Sequence, residues 1–467
     1  MLIIRIAGMA SNIYISSRLG ASSMGIYHMI FSVFTFGITF AASGTGFAVT
    51  RLVSEGGAND RSIVRKSLAV SSVCSLLAFC VFFFASPLLC EKFIHSGDTA
   101  KAMRILAFAL PCMGASSVCR GYFIAKRKAV IITISSLLEE AVCILTAIAL
   151  VGKLDAKSSY MCLVWGCFAS NVCAFVFDTV LAKISMNKGT SINRSASFGS
   201  ILGICVPIAL GSYLRTALVA IENLMIPMQF EAFGCRDAIG EYGVIKAMAM
   251  PILLFPTVFI ASFSSMLVPE MSEMNSKGRV MGIRHVAGIS FSTTTMFAFF
   301  IALMLFKHHR VISESFFKDP RASSYLFMVS LLAVPMYLDT VADSILKGLN
   351  LQNASLRYNI FDSALRIGFI FAVLPKIGPV CYIAMLYMSE IFNLTLSISK
   401  ACRTAGIRLN IYELLIVPFL SAIIAYGFGS PVVQTAVYVL VYMGLGRVKF
   451  ICRGFILQKR DGTETVP

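Results

Sequence analysis

Charge is what this sequence has least of. Asp, Glu, Lys and Arg make up 13% of its 467 residues, where a soluble domain carries about 25%. A chain so poor in charge cannot cover a water-facing surface, which excludes an ordinary soluble globule. Long polar tracts are missing too. The longest, 183–197, 269–285 and 307–323, are loop-sized and leave no room for a soluble domain or a Ser/Pro-rich linker. Catalytic signatures are absent: there is no GxxxxGK(S/T) for ATP hydrolysis and no HExxH, GxSxG or CxxC. The chain therefore reads as a non-enzyme, with no cofactor implied. The fourteen cysteines fall almost entirely in apolar segments, as Cys74, Cys112 and Cys205 do, with only Cys90 and Cys235 placed outside them. Cys162, Cys167 and Cys173 are the tightest group and lack histidine partners, so neither a metal site nor an obligatory disulfide is expected.

What is there is apolar. Hydrophobic residues make up 57% of the chain, in continuous blocks of about twenty, the length that crosses a ~30 Å hydrocarbon core as a helix. A β-barrel would show ten-residue alternation instead. The reading is an all-α polytopic membrane protein with about fourteen transmembrane helices. They fall near 2–17, 26–50, 67–89, 102–124, 130–151, 158–182, 198–221, 242–268, 286–306, 324–346, 360–374, 378–399, 411–427 and 431–446.

The net charge of +17 would suit a nucleic-acid binder, but its distribution points elsewhere. With the first loop external, the alternate loops and the tail hold 25 of the 40 Lys and Arg. That bias fits the positive-inside rule with both termini cytoplasmic, and it implies attraction to anionic lipids rather than to nucleic acid. The first segment begins at Met1 with no charged leader and carries Arg5 inside a short apolar run. This predicts a true or ancestral start ~15–20 residues upstream, enough to complete a ~20-residue helix.

An internal repeat is visible. Phe40-Ala41-Ala42-Ser43 before Val49 matches Phe259-Ile260-Ala261-Ser262 before Val268, an offset of 219 residues. Pro111 with Arg120-Gly121 matches Pro335 with Lys347-Gly348, at offsets of 224 and 227. Span two matching eight, and four matching ten, implies two six-helix halves in the same orientation, an arrangement common in secondary transporters. The expected division is 1–197 (spans one to six), 198–400 (seven to twelve) and 401–467 (two further helices and a basic cytoplasmic tail).

Charges inside spans cost about 2.5–3.5 kcal/mol each and are the best functional lead. Arg215 lies deep in the seventh span, Glu222 follows two turns later on the same face, and Arg5 lies in the equivalent first span. Two arginines facing one cavity would make an anion site, because guanidinium grips phosphate bidentately. Arg51, Arg120 and Asp178 lie near span ends and can snorkel. Glu139 and Glu140 lie two turns inside the fifth span, where one can meet a loop cation such as Lys128. Asp362 and Arg366 are spaced to pair on one face. Asp339 and Asp343 are like charges on one face, so one can bind a proton or cation, with Lys347 as the plain alternative partner. Pro251, Pro256 and Pro335 permit kinks.

Several stretches carry a resemblance. They are Ser11-Asn12-Ile13-Tyr14-Ile15-Ser16-Ser17-Arg18-Leu19-Gly20 with Gly25-Ile26-Tyr27, Ala48-Val49-Thr50-Arg51-Leu52-Val53-Ser54-Glu55, and Ser117-Val118-Cys119-Arg120-Gly121-Tyr122-Phe123. Leu138-Glu139, Pro251-Ile252-Leu253-Leu254-Phe255-Pro256 and Ser264-Ser265-Met266-Leu267-Val268-Pro269-Glu270 complete the set. Over essentially the whole chain these resemble the stage V sporulation protein B type of polysaccharide exporter. That type belongs to the multidrug/oligosaccharidyl-lipid/polysaccharide (MOP) exporter superfamily, with the MurJ-type lipid II flippases and the drug/cation antiporters. The resemblance implies two six-helix lobes in a V shape plus two C-terminal helices. It implies flipping of a polyprenyl-pyrophosphate-linked glycan across the cytoplasmic membrane, in cell-wall, spore-cortex or surface-polysaccharide assembly.

Arg5 matches a cavity arginine of such flippases and Glu222 an acidic position of their seventh helix. Ser11 and Asn12 stand where some relatives carry another arginine. On this reading Arg5 and Arg215 hold pyrophosphate and Arg51 guards the cytoplasmic entrance. Glu139, Glu222, Asp339 and Asp343 are coupling or charge-relay residues. Partners are the lipid-linked sugar, anionic lipids and envelope-assembly proteins. A drug/cation antiporter, with an acidic and aromatic cavity, and a non-transporting scaffold are the other readings.

Overall fold

The computed structural model describes residues 2–56, 59–93, 99–151, 159–187, 197–317, 319–407, 410 and 412–445, of which 2–5, 89, 91–93, 187 and 413 are described by backbone alone. Among the described residues there is no strand. A backbone in hydrocarbon must satisfy its own polar groups, and a helix does so within one segment. The first half of the chain forms α1 (Leu2–Leu19), α2 (Ala21–Ala42), α3 (Thr45–Glu55), α4 (Asp60–Phe93), α5 (Thr99–Ala107), α6 (Ala109–Ala125), α7 (Ala129–Leu150), α8 (Met161–Asn187) and α9 (Phe198–Phe233). It continues through α10 (Ala238–Gly243), a π-helical stretch Val244–Ala249, α11 (Met250–Leu254), α12 (Thr257–Ser276), α13 (Val280–Phe316), α14 (Arg321–Val329) and α15 (Ala333–Gly348). Then come α16 (Gln352–Ala372), α17 (Leu374–Ile377), α18 (Pro379–Ala405), α19 (Val417–Tyr426) and α20 (Pro431–Leu445).

Where they are described, the expected spans fall mainly on helix; positions 158, 411 and 446 lie outside the described residues. Among the described residues nine helices are long and apolar enough to cross a membrane, or ten if the bent pair Ala238–Leu254 and Thr257–Ser276 counts as one span. Leu414–Tyr426 and Pro431–Leu445 are shorter apolar helices. The apolar surface is not consumed internally. In α7 only 11% of the most apolar window is buried, and Phe84, Met266 and Val432 lie open. An exposed apolar area of this extent is unstable in water and needs a lipid surround.

Two breaks within spans bear on the site. The second span, expected as one helix over 26–50, divides at Ser43 (φ 44°) and Gly44 (φ 67°), both left-handed. Hydroxyls serve the carbonyls freed there. Thr45 Oγ1 donates to Ala42 O (2.6 Å), Ser71 Oγ to Ala41 O (3.2 Å) and Tyr213 OH to Phe40 O (3.4 Å). Ser43 Oγ also bonds Phe40 O and lies 2.7 Å from Tyr213 OH. The eighth span bends by 55° around Phe255–Pro256. Pro256 cannot supply the N–H that would continue the ladder, so the kink expected from the prolines is present.

The chain forms two compact units. The first holds 1–248, 316–319 and 363–382; the second holds 249–315, 320–362 and 383–467. These units are a different partition from the expected division at 197/198. In the first, α7 and α8 pack as an antiparallel pair, α6 lies against α3, α4 and α8, and α2 packs on α9 and α10. Close approach depends on absent side chains: a Cβ at Gly121 would strike the Gly46 backbone, and one at Gly243 the Ala21 carbonyl. In the second unit, α12 packs on α15, and a Cβ at Gly348 would lie 2.9 Å from Val268 O. Thus α6 meets α3, and α15 meets α12, through a glycine placed as the sequence repeat expects. Both helices also end on a left-handed residue, Arg127 and Asn350. Lys128 N bonds Phe123 O (2.9 Å) and Leu351 N bonds Leu346 O (2.8 Å), the same Schellman closure.

Candidate functional site

In the first unit a cavity of about 430 Å³ lies beside the α2–α3 break, walled by α2, α3, α6, α7, α8 and α9. Thr39, Thr50, Ser116, Ser117 and Asn171 supply polar edges, and Phe47 and Ile208 apolar ones. The Gly46–Gly121 approach brings α3 against α6, and Thr50 Oγ1 seals the contact by donating to Gly121 O (3.0 Å). One residue before Gly121, Arg120 turns into the cavity wall.

Arg120 is a hub for three helices. Its Nη2 meets Glu139 Oε2 at 2.7 Å and Ser135 Oγ at 3.1 Å, both on α7, and its Nε meets Asp178 Oδ2 on α8 at 2.9 Å. Ser135 and Glu139 are four residues apart and therefore share a face. Asp178 is fully buried, while the side chains of Arg120 and Glu139 keep 27% and 28% of their exposure. Two carboxylates face one guanidinium here, and among the described residues the buried Asp178 Oδ1 has no hydrogen-bond partner. The snorkelling expected of Arg120 and Asp178 is thus corrected: burial and mutual pairing replace water. Glu139 pairs with Arg120 rather than Lys128, whose Nζ instead meets Ser185 Oγ at 2.6 Å.

On α9, Ile208 and Ser212 line the cavity. Arg215 follows Ser212 by one turn and Ile208 by two, so it lies on the same side of the helix. It is exposed, and among the described residues it makes no ion pair or hydrogen bond. The helix is fixed on α2 by the Phe40–Tyr213 ring stack (5.1 Å) and by Asn223 Nδ2 donating to Ser32 Oγ at 2.7 Å. Glu222 is buried and paired: Arg366 Nη1 of α16 reaches its Oε1 at 3.3 Å. Lys246 lies over the Tyr382 ring at 5.7 Å.

The remaining expected residues lie elsewhere. Arg51 is exposed and bonds Glu55 on its own helix at 2.8 Å. The side chain of Arg5 lies outside the described residues. In the second unit, Asp343 is neutralised by Lys347 (2.6 Å) and accepts from Ser355. Asp339, one turn earlier, keeps a buried oxygen that has no partner among the described residues. Asp362 accepts from Ser389 of α18 at 2.6 Å, and Asn393 donates to Asn359 at 3.3 Å. Among the described residues no group of three His, Cys, Asp or Glu could hold a metal ion.

The structure therefore brings Glu139 to a cavity and leaves Arg215 unpaired on that cavity's side. It does not bring Arg51 into that cavity's lining. Sequence reasoning missed Arg120 and Asp178 as partners and Arg366 as the partner of Glu222. A signal existed: Arg120, Glu139 and Asp178 are complementary charges on consecutive spans, each too costly to stand alone in a membrane.

A family model described as polysaccharide biosynthesis protein matches residues 1–275. Stage V sporulation protein B of Bacillus subtilis (strain 168) is 22% identical over 396 residues, covering 81% of this chain and 76% of that protein. The sporulation protein YkvU of the same organism is 19% identical over 348 residues, covering 70% and 76%. The inward closed conformation of the lipid II flippase MurJ superposes with a TM-score of 0.74 at 13% identity, over 97% of this chain and 98% of that one. An inward-facing multidrug resistance MATE family transporter of the MOP superfamily superposes at 0.71 with 14% identity, over 87% and 98%. At these identities the likeness establishes a multi-pass membrane fold of the kind found in MOP-superfamily transporters.

Proposed function

The chain belongs to the polysaccharide biosynthesis protein family, and from that premise we propose that it carries a polyprenyl-pyrophosphate-linked oligosaccharide or peptidoglycan precursor across the cytoplasmic membrane by alternating access. The observation that carries this reading is Arg215. Glu222, on its own helix, is committed to Arg366, and Glu139, in the cavity lining, is committed with Asp178 to Arg120. A guanidinium left unpaired deep in an apolar 36-residue helix, beside a cavity of about 430 Å³, suits an anionic headgroup arriving from outside the chain. Arg5, on the equivalent first helix, is the proposed second ligand of the pyrophosphate, and Arg51 the cation at the cytoplasmic entrance. The lobes proposed are residues 1–197 and 198–400, with 401–467 supplying two further helices.

Coupling is proposed to run through carboxylates with spare capacity. Glu139 shares its guanidinium with Asp178, and Asp339 keeps an unpartnered oxygen beside the Lys347-paired Asp343. Glu222, held by Arg366, is a charge relay that orders α9 against α16.

The test is depletion and complementation. Depleting the protein should raise lipid-linked sugar intermediates in the inner leaflet, and wild type should clear them. Arg215→Ala should lower clearance about 10–100-fold, the worth of one charge-assisted hydrogen-bonding contact of about 1.5–3 kcal/mol, with insertion and yield unchanged. Full activity would remove Arg215 from the site. Unchanged intermediates together with raised sensitivity to cationic dyes would favour a drug/cation antiporter.

A further inference from the structure

A second cavity, of about 390 Å³, opens in the first unit between the first turns of α4, the body of α6 and the last turns of α8. Arg61, Val64, Arg65 and Leu68 present one face of α4, because their spacing of three and four repeats the helical turn. Thr179, Ala182, Lys183 and Met186 present the matching face of α8. The helices run antiparallel here, so the cations Arg61, Arg65 and Lys183 occupy the outer turns. Leu68, Thr179 and Cys119 lie further in.

The charges at the mouth are not used up. Arg61 fixes the two helix ends by donating from Nε and Nη2 to Met186 O, at 3.3 and 3.2 Å. Asp60, the neighbouring acid, is held by Lys126 at 2.6 Å. Arg65 and Lys183 are exposed, and among the described residues neither makes an ion pair or a hydrogen bond. Deeper in, the buried Thr179 hydroxyl lies beside the Cys119 thiol. The walls between are aliphatic, and the most apolar part of α4, with a mean hydropathy of 2.4, lies on the inner side. A rim of unpaired cations over an apolar wall, where a span begins, matches a phosphate joined to hydrocarbon.

We propose that this cavity binds the headgroup of an anionic membrane phospholipid. Its phosphate sits between Arg65 and Lys183, and an acyl chain lies along Val64 and Leu68. The lipid is a resident of the α4–α8 groove and not the cargo. It adds a polar tie between two helix ends that Arg61 and the apolar packing of Ile63, Val64 and Ala182 already join, and it stands whether or not the transport reading does.

The full-length protein, purified and delipidated, is exposed to vesicles of phosphatidylglycerol or phosphatidylcholine, and retained lipid is counted by native mass spectrometry. Wild type should retain phosphatidylglycerol about tenfold or more over phosphatidylcholine, the scale set by two interfacial cations. The double variant Arg65→Gln, Lys183→Gln should lose that preference, while Lys376→Gln keeps it. Should the double variant fold poorly, Lys183→Gln alone, at an exposed position, should lower the preference several-fold, and the wild-type ratio remains decisive by itself. Equal retention of the two lipids by wild type would overturn the assignment, as would an unchanged preference in the variants. Displacement by inorganic phosphate would make it a free-anion site. Displacement by farnesyl pyrophosphate in preference to phosphatidylglycerol would make it part of the cargo path.

Discussion

Asp178 shows what a single buried charge demands of its surroundings. It is fully enclosed and depends on Arg120, which Glu139 shares. Removing one partner of a buried ion pair strands the other, at about 3–5 kcal/mol, whereas replacing the whole set by apolar groups of like size is often neutral. Arg120→Met should therefore lower the thermal unfolding temperature in detergent by more than the triple change Arg120→Met, Glu139→Leu, Asp178→Leu. An equal or larger drop in the triple variant would show that the three do not act as a unit. These residues were individually legible in the sequence as charges near or inside spans. Their pairing was not, because each was judged against the water beyond its own span end, while the decisive neighbour came from another helix. Glu222 is legible as an acid on the Arg215 face for the same local reason, whereas its contact with Arg366 of α16 is not. Tertiary pairs leave no mark on the spacing of a single helix.

At the scale of elements, the spans were legible because hydropathy and length are local quantities. Their ends were less so: the eleventh, read as 360–374, begins at Gln352, and the ninth, read as 286–306, runs Val280–Phe316. Those extra turns carry the charges that a hydropathy reading trims away. The glycine contacts set how closely helices approach. Gly121→Ala would push α6 off the Gly46 backbone, and Gly348→Ala would push α15 off Val268. Each should destabilise by about 1–3 kcal/mol, as overpacking does, read as a lower unfolding midpoint. Gly203→Ala, where an added Cβ meets nothing, should leave the midpoint unchanged or raise it. Gly121→Ala should in addition impair transport, since that residue lines the cavity.

For the whole molecule, the repeat has a chemical as well as a geometric side. Spans four, five and six carry a polar network around a cation, Arg120. Spans ten, eleven and twelve, on α15, α16 and α18, carry one built from acids, Asp343 with Lys347 and Ser355, and Asp362 with Ser389. Each network buries an acid: Asp178 meets the Arg120 guanidinium, and Asp362 accepts from the Ser389 hydroxyl. The loop cations lead to the expectation that both termini are cytoplasmic. A green fluorescent protein fused after Pro467 should fluoresce, and alkaline phosphatase fused at Lys376 should be active. The reverse pattern would invert the topology.

The joint at Ser43 and Gly44 has one more consequence. Its acceptors are met by Ser43, Thr45, Ser71 and Tyr213, and every one of those donors is a hydroxyl. A hydroxyl swings its single proton between neighbouring acceptors by rotating one bond, whereas a peptide N–H moves only with the backbone. Such donors can re-aim among the oxygens already in reach, which keeps a bare carbonyl from facing hydrocarbon, where each would cost several kcal/mol. Replacing Thr45 and Ser71 by Val and Ala would keep the shape of the corner and take away its lubricant.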